Sequence, residues 1–208
     1  MILFVKLFLA HLIADFLLQP SRWVIHKEVN KATSKYLYYH VLLHFLISML
    51  LIWELSAWKM ILIIAITHYI IDLAKLYANP LFKLKSVPFF IDQLLHILVL
   101  YCCAFYGDLT QHTIAIFQNM DWPFVTAIVL VTFPAAIIMG KLLESMSNQI
   151  EFDHKSLPNA GKYIGIIERL FVLVFIILGR WEAIGLLITA KSVFRFNDLK
   201  ESNSRKLT

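Results

Sequence analysis

The sequence predicts an all-α fold, a polytopic bundle of about seven transmembrane helices. Three observations lead there. Of 208 residues, 60% are hydrophobic and 16% charged, with a mean hydropathy of +0.72, too apolar a balance to keep a folded surface in water. The apolar residues gather in runs of roughly 17 to 25, the length at which a helix crosses a ~30 Å hydrocarbon core. Those runs lack the alternation that marks barrel strands.

The first span covers residues 2–18. It has neither the basic N-terminal region nor the small-residue cleavage site of a secretory signal, so it reads as retained. The second span (37–56) and the third (58–77) meet at Ala57, and the fourth follows at 88–106. Cys102 and Cys103 sit side by side there, a poor arrangement for an ordinary disulfide, and read as packing residues. The fifth span, 123–143, is interrupted by Pro134 and Gly140; the sixth (161–179) and seventh (181–196) meet at Arg180. The organisation expected is one membrane domain: a four-helix block over 1–106, a divider helix, a final helix pair over 161–196 and a tail over 197–208. The longest polar interior stretch, ESMSNQIEFDHKSLPN over 144–159, is the seam before that pair.

A net charge of +5 and a pI of about 9.2 suggest nucleic acid in a soluble protein, but here the basic residues follow a membrane pattern. Arg22, Lys27, Lys31 and Lys35 follow span one; Lys75, Lys83 and Lys85 surround the connection after span three; Lys141, Lys155 and Lys162 flank the one after span five. The opposite connections are almost bare. The positive-inside rule then puts the N-terminus outside, with the odd-numbered connections and the C-terminus in the cytoplasm, as in a multi-pass inner-membrane protein. Nucleic acid is not an expected partner.

Four spans carry ionisable pairs at i, i+4: His11 and Asp15, His40 and His44, His68 and Asp72, Asp92 and His96. That spacing puts both side chains on one helix face. Random scatter of 8 His and 7 Asp would give about one such pair, and there are five, the last being Asp108 and His112 in an outer connection. The pairs sit late in spans one and three and early in spans two and four. With alternating helix direction, all eight groups reach the same, cytoplasmic half of the membrane. Ionisable groups at that depth must face the bundle interior and be paired.

One such pair alone reads as an interhelical hydrogen bond. Four at a common depth read as a metal site, because imidazole with carboxylate suits zinc first and manganese or iron as alternatives. Eight donors exceed the needs of one tetrahedral ion; they suit two, with one or two residues orienting the ligands. Asp15 or Asp92 is then the expected general base. Gln19, one turn beyond Asp15, is expected to orient that carboxylate. In the final pair, Glu168 and Arg169 lie on span six, and Lys191 and Arg195 are spaced i, i+4 on span seven. Arg169 and Lys191 are the expected phosphate-binding cations.

The segments HLIADFLLQ, HVLLH, THYIIDLAK and FFIDQLLH, followed by GKYIGIIERLFVLVFIILGRWEAIGLLITAKSVFRF, resemble a bacterial membrane family known as domain of unknown function 3307. The resemblance covers nearly the whole chain and implies no activity. At motif level, HVLLH and THYIIDLAK are similar to the paired histidines and the S-H-x-x-x-D segment of inner-membrane metal-dependent hydrolases, with Thr67 in place of Ser. That likeness implies His40, His44, His68 and Asp72 as metal-site residues. The function expected is a membrane-embedded hydrolase for an ester or phosphoester of a lipid or lipid-linked substrate. The rival is a metal-ion or proton transporter using the same cluster as a transit site.

Overall fold

The computed structural model describes residues 1–84, 86–106, 120–143 and 160–206. The Asp108/His112 pair, the 144–159 seam and the side chain of Arg195 lie outside the described set. All regular structure among the described residues is helical. The chain divides into two units, Met1–Leu157 and Pro158–Thr208.

In the first unit α1 (Ile2–Leu12) runs on as a π-helical turn, Ile13–Leu17, and stops before Pro20. A short helix, α2 (Ser21–Asn30), follows at 85° to it. Then come α3 (Lys35–Ile52), α4 (Trp58–Ala78) and α5 (Ser86–Tyr106). The helices α6 (Trp122–Val131) and α7 (Phe133–Leu142) are bent by 45°. Pro134, on the first turn of α7, lacks the N–H that a continuous helix would need, so the predicted interruption of this span is a real break. Asp121 caps α6, its Oδ1 accepting the Phe124 N–H at 3.1 Å.

α1, α3, α4 and α5 close into a four-helix bundle, each packed on the next and α5 back on α1. α6 leans on α1, α7 on the π-turn and α2 on α3. The bundle is inside-out in polarity. Leu46, Leu50, Ile66, Ile70, Leu94 and Leu98 are exposed on its outside, whereas histidines and aspartates are buried within. Such a surface needs a hydrocarbon solvent.

α3, the stretch Leu55–Leu81 around α4, and α5 are each long and apolar enough to cross a membrane. The two bent pairs raise the number to five if each is one span. The chain is therefore a multi-pass membrane protein. The stretch expected as the first connection, 19–35, holds α2. The aromatic residues at the α2–α3 corner, with Trp23 stacked on Tyr36 at 5.4 Å, match the amphipathic side chains favoured at a membrane interface.

The second unit consists of α8 (Ala160–Ile177) and α9 (Trp181–Lys206), joined at Gly179, whose φ of +66° suits the residue without a β-carbon. These two helices are not among the three to five candidate spans. α8 carries Lys162, Glu168 and Arg169 within its 18 residues.

Candidate metal centre

On each bundle helix the stripe facing the bundle interior changes character along its length. On α1 it runs Leu3, Leu7, then His11; on α3, Ile52, Ser48, then His44 and His40. On α4 it runs Ile61, Ile64, then His68 and Asp72; on α5, Leu100, then His96 and Asp92. Antiparallel neighbours align these stripes. One end of the bundle is consequently an apolar core of Leu3, Leu7, Ile52, Ala57, Ile61, Ile64 and Leu100. The other holds all eight ionisable residues.

Asp15 sits in the π-turn, where the Leu18 N–H reaches back to the Ile13 carbonyl at 3.0 Å. Such widened turns recur at functional sites because they re-aim a side chain. Asp15 Oδ1 lies 2.8 Å from His44 Nε2, 3.1 Å from His40 Nε2 and 3.9 Å from His68 Nε2. The Nε2 atoms of His40 and His68 are 3.1 Å apart. Donors about 2.0–2.2 Å from a tetrahedral ion stand roughly 3.4 Å from one another. The observed separations straddle that value, so the four residues form a group able to hold one metal ion. A second group, His68, Asp72 and His96, shares His68 with it.

The remaining expected residues are tied in by hydrogen bonds. Gln93 accepts from His11 Nε2 at 3.2 Å and donates to Asp15 Oδ2 at 3.0 Å and to Asp92 Oδ2 at 3.2 Å. Lys27, reaching in from α2, is buried and pairs with Asp72 at 2.9 Å. Lys75 pairs with Asp92 at 2.8 Å. Two of the three carboxylates are thus matched by ammonium groups, and Asp15 is left among histidines.

Gln19 does not orient Asp15. Its side-chain amide stands 3.0 Å from the His40 ring nitrogens instead, because the π-turn and the break at Pro20 take it off the regular helix on which it would stack one turn beyond. The part expected of Gln19 falls to Gln93. Counting amides together with His and Asp would have flagged Gln93 in FFIDQLLH; no spacing in the sequence marks Lys27. Replacing Gln93 by Leu is expected to weaken metal binding about 10- to 100-fold, the usual effect of removing a group that orients ligands; competition with a fluorescent chelator would measure it.

Arg169 and Lys191 belong to the second unit. There Lys191 pairs with Glu168, and the Arg169 guanidinium lies against Gly165, where an added β-carbon would stand 3.2 Å from Nη1.

Asp15 keeps 11% of its side chain exposed, against 4% or less for His40, His44 and His68. That exposure opens onto a vestibule of about 230 Å³. Two cations, Lys75 and Lys141, line its wall with the carboxylate of Glu28 and the neutral polar groups of Gln19, Ser21, Asn79 and Gln93; Phe16, Val24, Phe89 and Ile137 make the apolar part. Asp15 is therefore reachable by solvent from this side.

A family model described as "Protein of unknown function (DUF3307)" matches residues 3–125. The matched stretch contains all eight bundle His and Asp residues. No curated protein and no solved structure matches the chain.

Proposed function

The chain belongs to the DUF3307 family, and because its description assigns no activity we propose a function from the site: a membrane-embedded, metal-dependent hydrolase for an ester or phosphoester of a lipid or lipid-linked substrate. The observation that carries this reading is the group of His40, His44, His68 and Asp15 at the floor of a polar vestibule. The donor set suits zinc, with manganese or iron as alternatives; such an ion, when bound, acidifies a coordinated water and polarises the scissile oxygen.

The protein's own residues do the rest. In this role Asp15 stays off the ion, which His40, His44 and His68 would hold; fixed through Oδ2 by Gln93 and partly exposed to the vestibule, it is placed to take a proton from arriving water. Asp92, the other carboxylate expected in that role, is held by Lys75 and serves the network instead. Lys75 and Lys141 line the vestibule and would attract a phosphoryl group and the negative charge that develops on it. The apolar wall formed by Phe16, Val24, Phe89 and Ile137 suits an acyl or isoprenoid chain.

A transit site for metal ions or protons needs access from both ends. The apolar core at the other end of the bundle supports chemistry with one-sided access over transit. In this reading α8 and α9 are the sixth and seventh spans, the N-terminus is outside, and the vestibule opens to the cytoplasmic leaflet of an inner membrane.

The test is to reconstitute the protein in liposomes containing carboxyl-ester lipids and polyprenyl phosphoesters, and to follow product release and metal uptake together. Turnover that a chelator stops and zinc or manganese restores is the expected result. Metal flux without turnover would overturn the hydrolase in favour of a transporter.

A further inference from the structure

The donor group of His68, Asp72 and His96 stands beside the first and is buried throughout, with the three ligand atoms within 4.8 Å of one another. His96 Nδ1 donates to the main-chain carbonyl of Asp92 at 2.7 Å. The proton is thereby fixed on Nδ1, and Nε2 is left as a bare lone pair. This Nε2 is buried and has no hydrogen-bond partner among the described residues. A buried acceptor without a donor is costly, and its usual explanation is a water or a cation. The ring centroid lies 4.0 Å from that of His68. A carbonyl on one ring nitrogen and a free lone pair on the other is also how metal-binding histidines are oriented.

Charge sets a condition on that occupant. Asp15, Asp72 and Asp92 against Lys27 and Lys75 leave the cluster with one net negative charge. A single dication turns this to one positive charge. A second, with His68 bridging the two as an imidazolate through one ring nitrogen to each and its proton released to solvent, would leave two positive charges within a few ångströms in a low-dielectric interior, where like charges repel strongly. An anion of two charges arriving through the vestibule would bring the total to neutral.

We propose that His96, His68 and Asp72 form a second divalent-cation site that fills together with a phosphate-type anion at the Asp15 face of the cluster. This deepens the metal-centre reading and rests on it. Two neighbouring cations clamping one phosphoryl group is a general way to stabilise the oxygens on both sides of a breaking bond. The residues here would assemble that arrangement only when substrate is present. Lys27, through its bond to Asp72 Oδ2, would hold that carboxylate in place for the second cation.

The test uses the full chain in detergent, dialysed against manganese(II) with and without inorganic phosphate, and counts bound metal. A two-cation site coupled to an anion predicts about one ion per chain alone and about two with phosphate, with the electron paramagnetic resonance signal of interacting ions in the second case only. His96→Gln, which keeps a polar side chain, and His96→Ala should both stay at a single ion with phosphate present. Two ions without phosphate would overturn the coupling. One ion under both conditions, lost in His40→Ala, would overturn the second site and leave the first standing. No bound ion in the wild-type protein would overturn both. Circular dichroism of each variant separates lost binding from lost folding.

Discussion

His68→Ala is expected to strip the centre of metal and abolish turnover. His68 is common to both donor groups, with its ring centroid 3.7 Å from that of His44 and 4.0 Å from that of His96. Four-ligand zinc sites bind with about 10–16 kcal/mol, so one ligand accounts for roughly 3 kcal/mol, or about two decades of affinity. The loss should exceed that, because the remaining His40, His44 and Asp15 contact one another and would close over part of the vacated space. Elemental analysis of protein purified without chelators measures the effect. Thr67→Ala is the matched control: its hydroxyl donates to the Ile63 and Ile64 carbonyls of its own helix, and metal content should not change. Equal metal in His68→Ala and wild type would remove the basis for the proposed hydrolase.

That the eight ionisable residues gather at one end of the bundle was legible because two periodicities coincide. The i, i+4 spacing sets a helix face, and the alternating early and late placement sets a depth; a bundle of antiparallel neighbours then has little choice but to bring the pairs together. Which residue does what was not legible. Asp15, Asp72 and Asp92 look equivalent in the sequence, each four residues from a histidine. They differ because Lys27 and Lys75 neutralise two of them, and Lys27 comes from a stretch whose charge reads as an interfacial anchor. Gln93 carries no charge and escapes a count of ionisable groups, yet it links His11, Asp15 and Asp92. The π-turn at Ile13–Leu17 adds a residue to one turn with no Gly or Pro to announce it, and it redirects Gln19 from Asp15 to His40.

The Lys27–Asp72 pair should be among the strongest single interactions in the first unit. Both side chains are 6% exposed, and Lys27 is the buried residue of α2. An exposed ion pair contributes about 0–1 kcal/mol, but removing one partner of a buried pair leaves an uncompensated charge and costs about 3–5 kcal/mol. Lys27→Met and Asp72→Asn are each expected to destabilise by that amount, seen as a lower unfolding temperature in detergent. The double variant Lys27→Met/Asp72→Asn should recover most of the loss, since no buried charge is then left alone. A coupling above about 2 kcal/mol in this cycle is the expected result, and additive effects would mean that the pair is solvated and weak. The same pair ties down part of the vestibule wall, because α2 supplies Ser21, Val24 and Glu28 to it. With Lys27 withdrawn from Asp72, α2 loses its anchor on α4 and the vestibule loses a fixed wall. Substrate binding should therefore weaken in Lys27→Met, which leaves every proposed metal ligand in place, and a raised KM in that variant is the expected result.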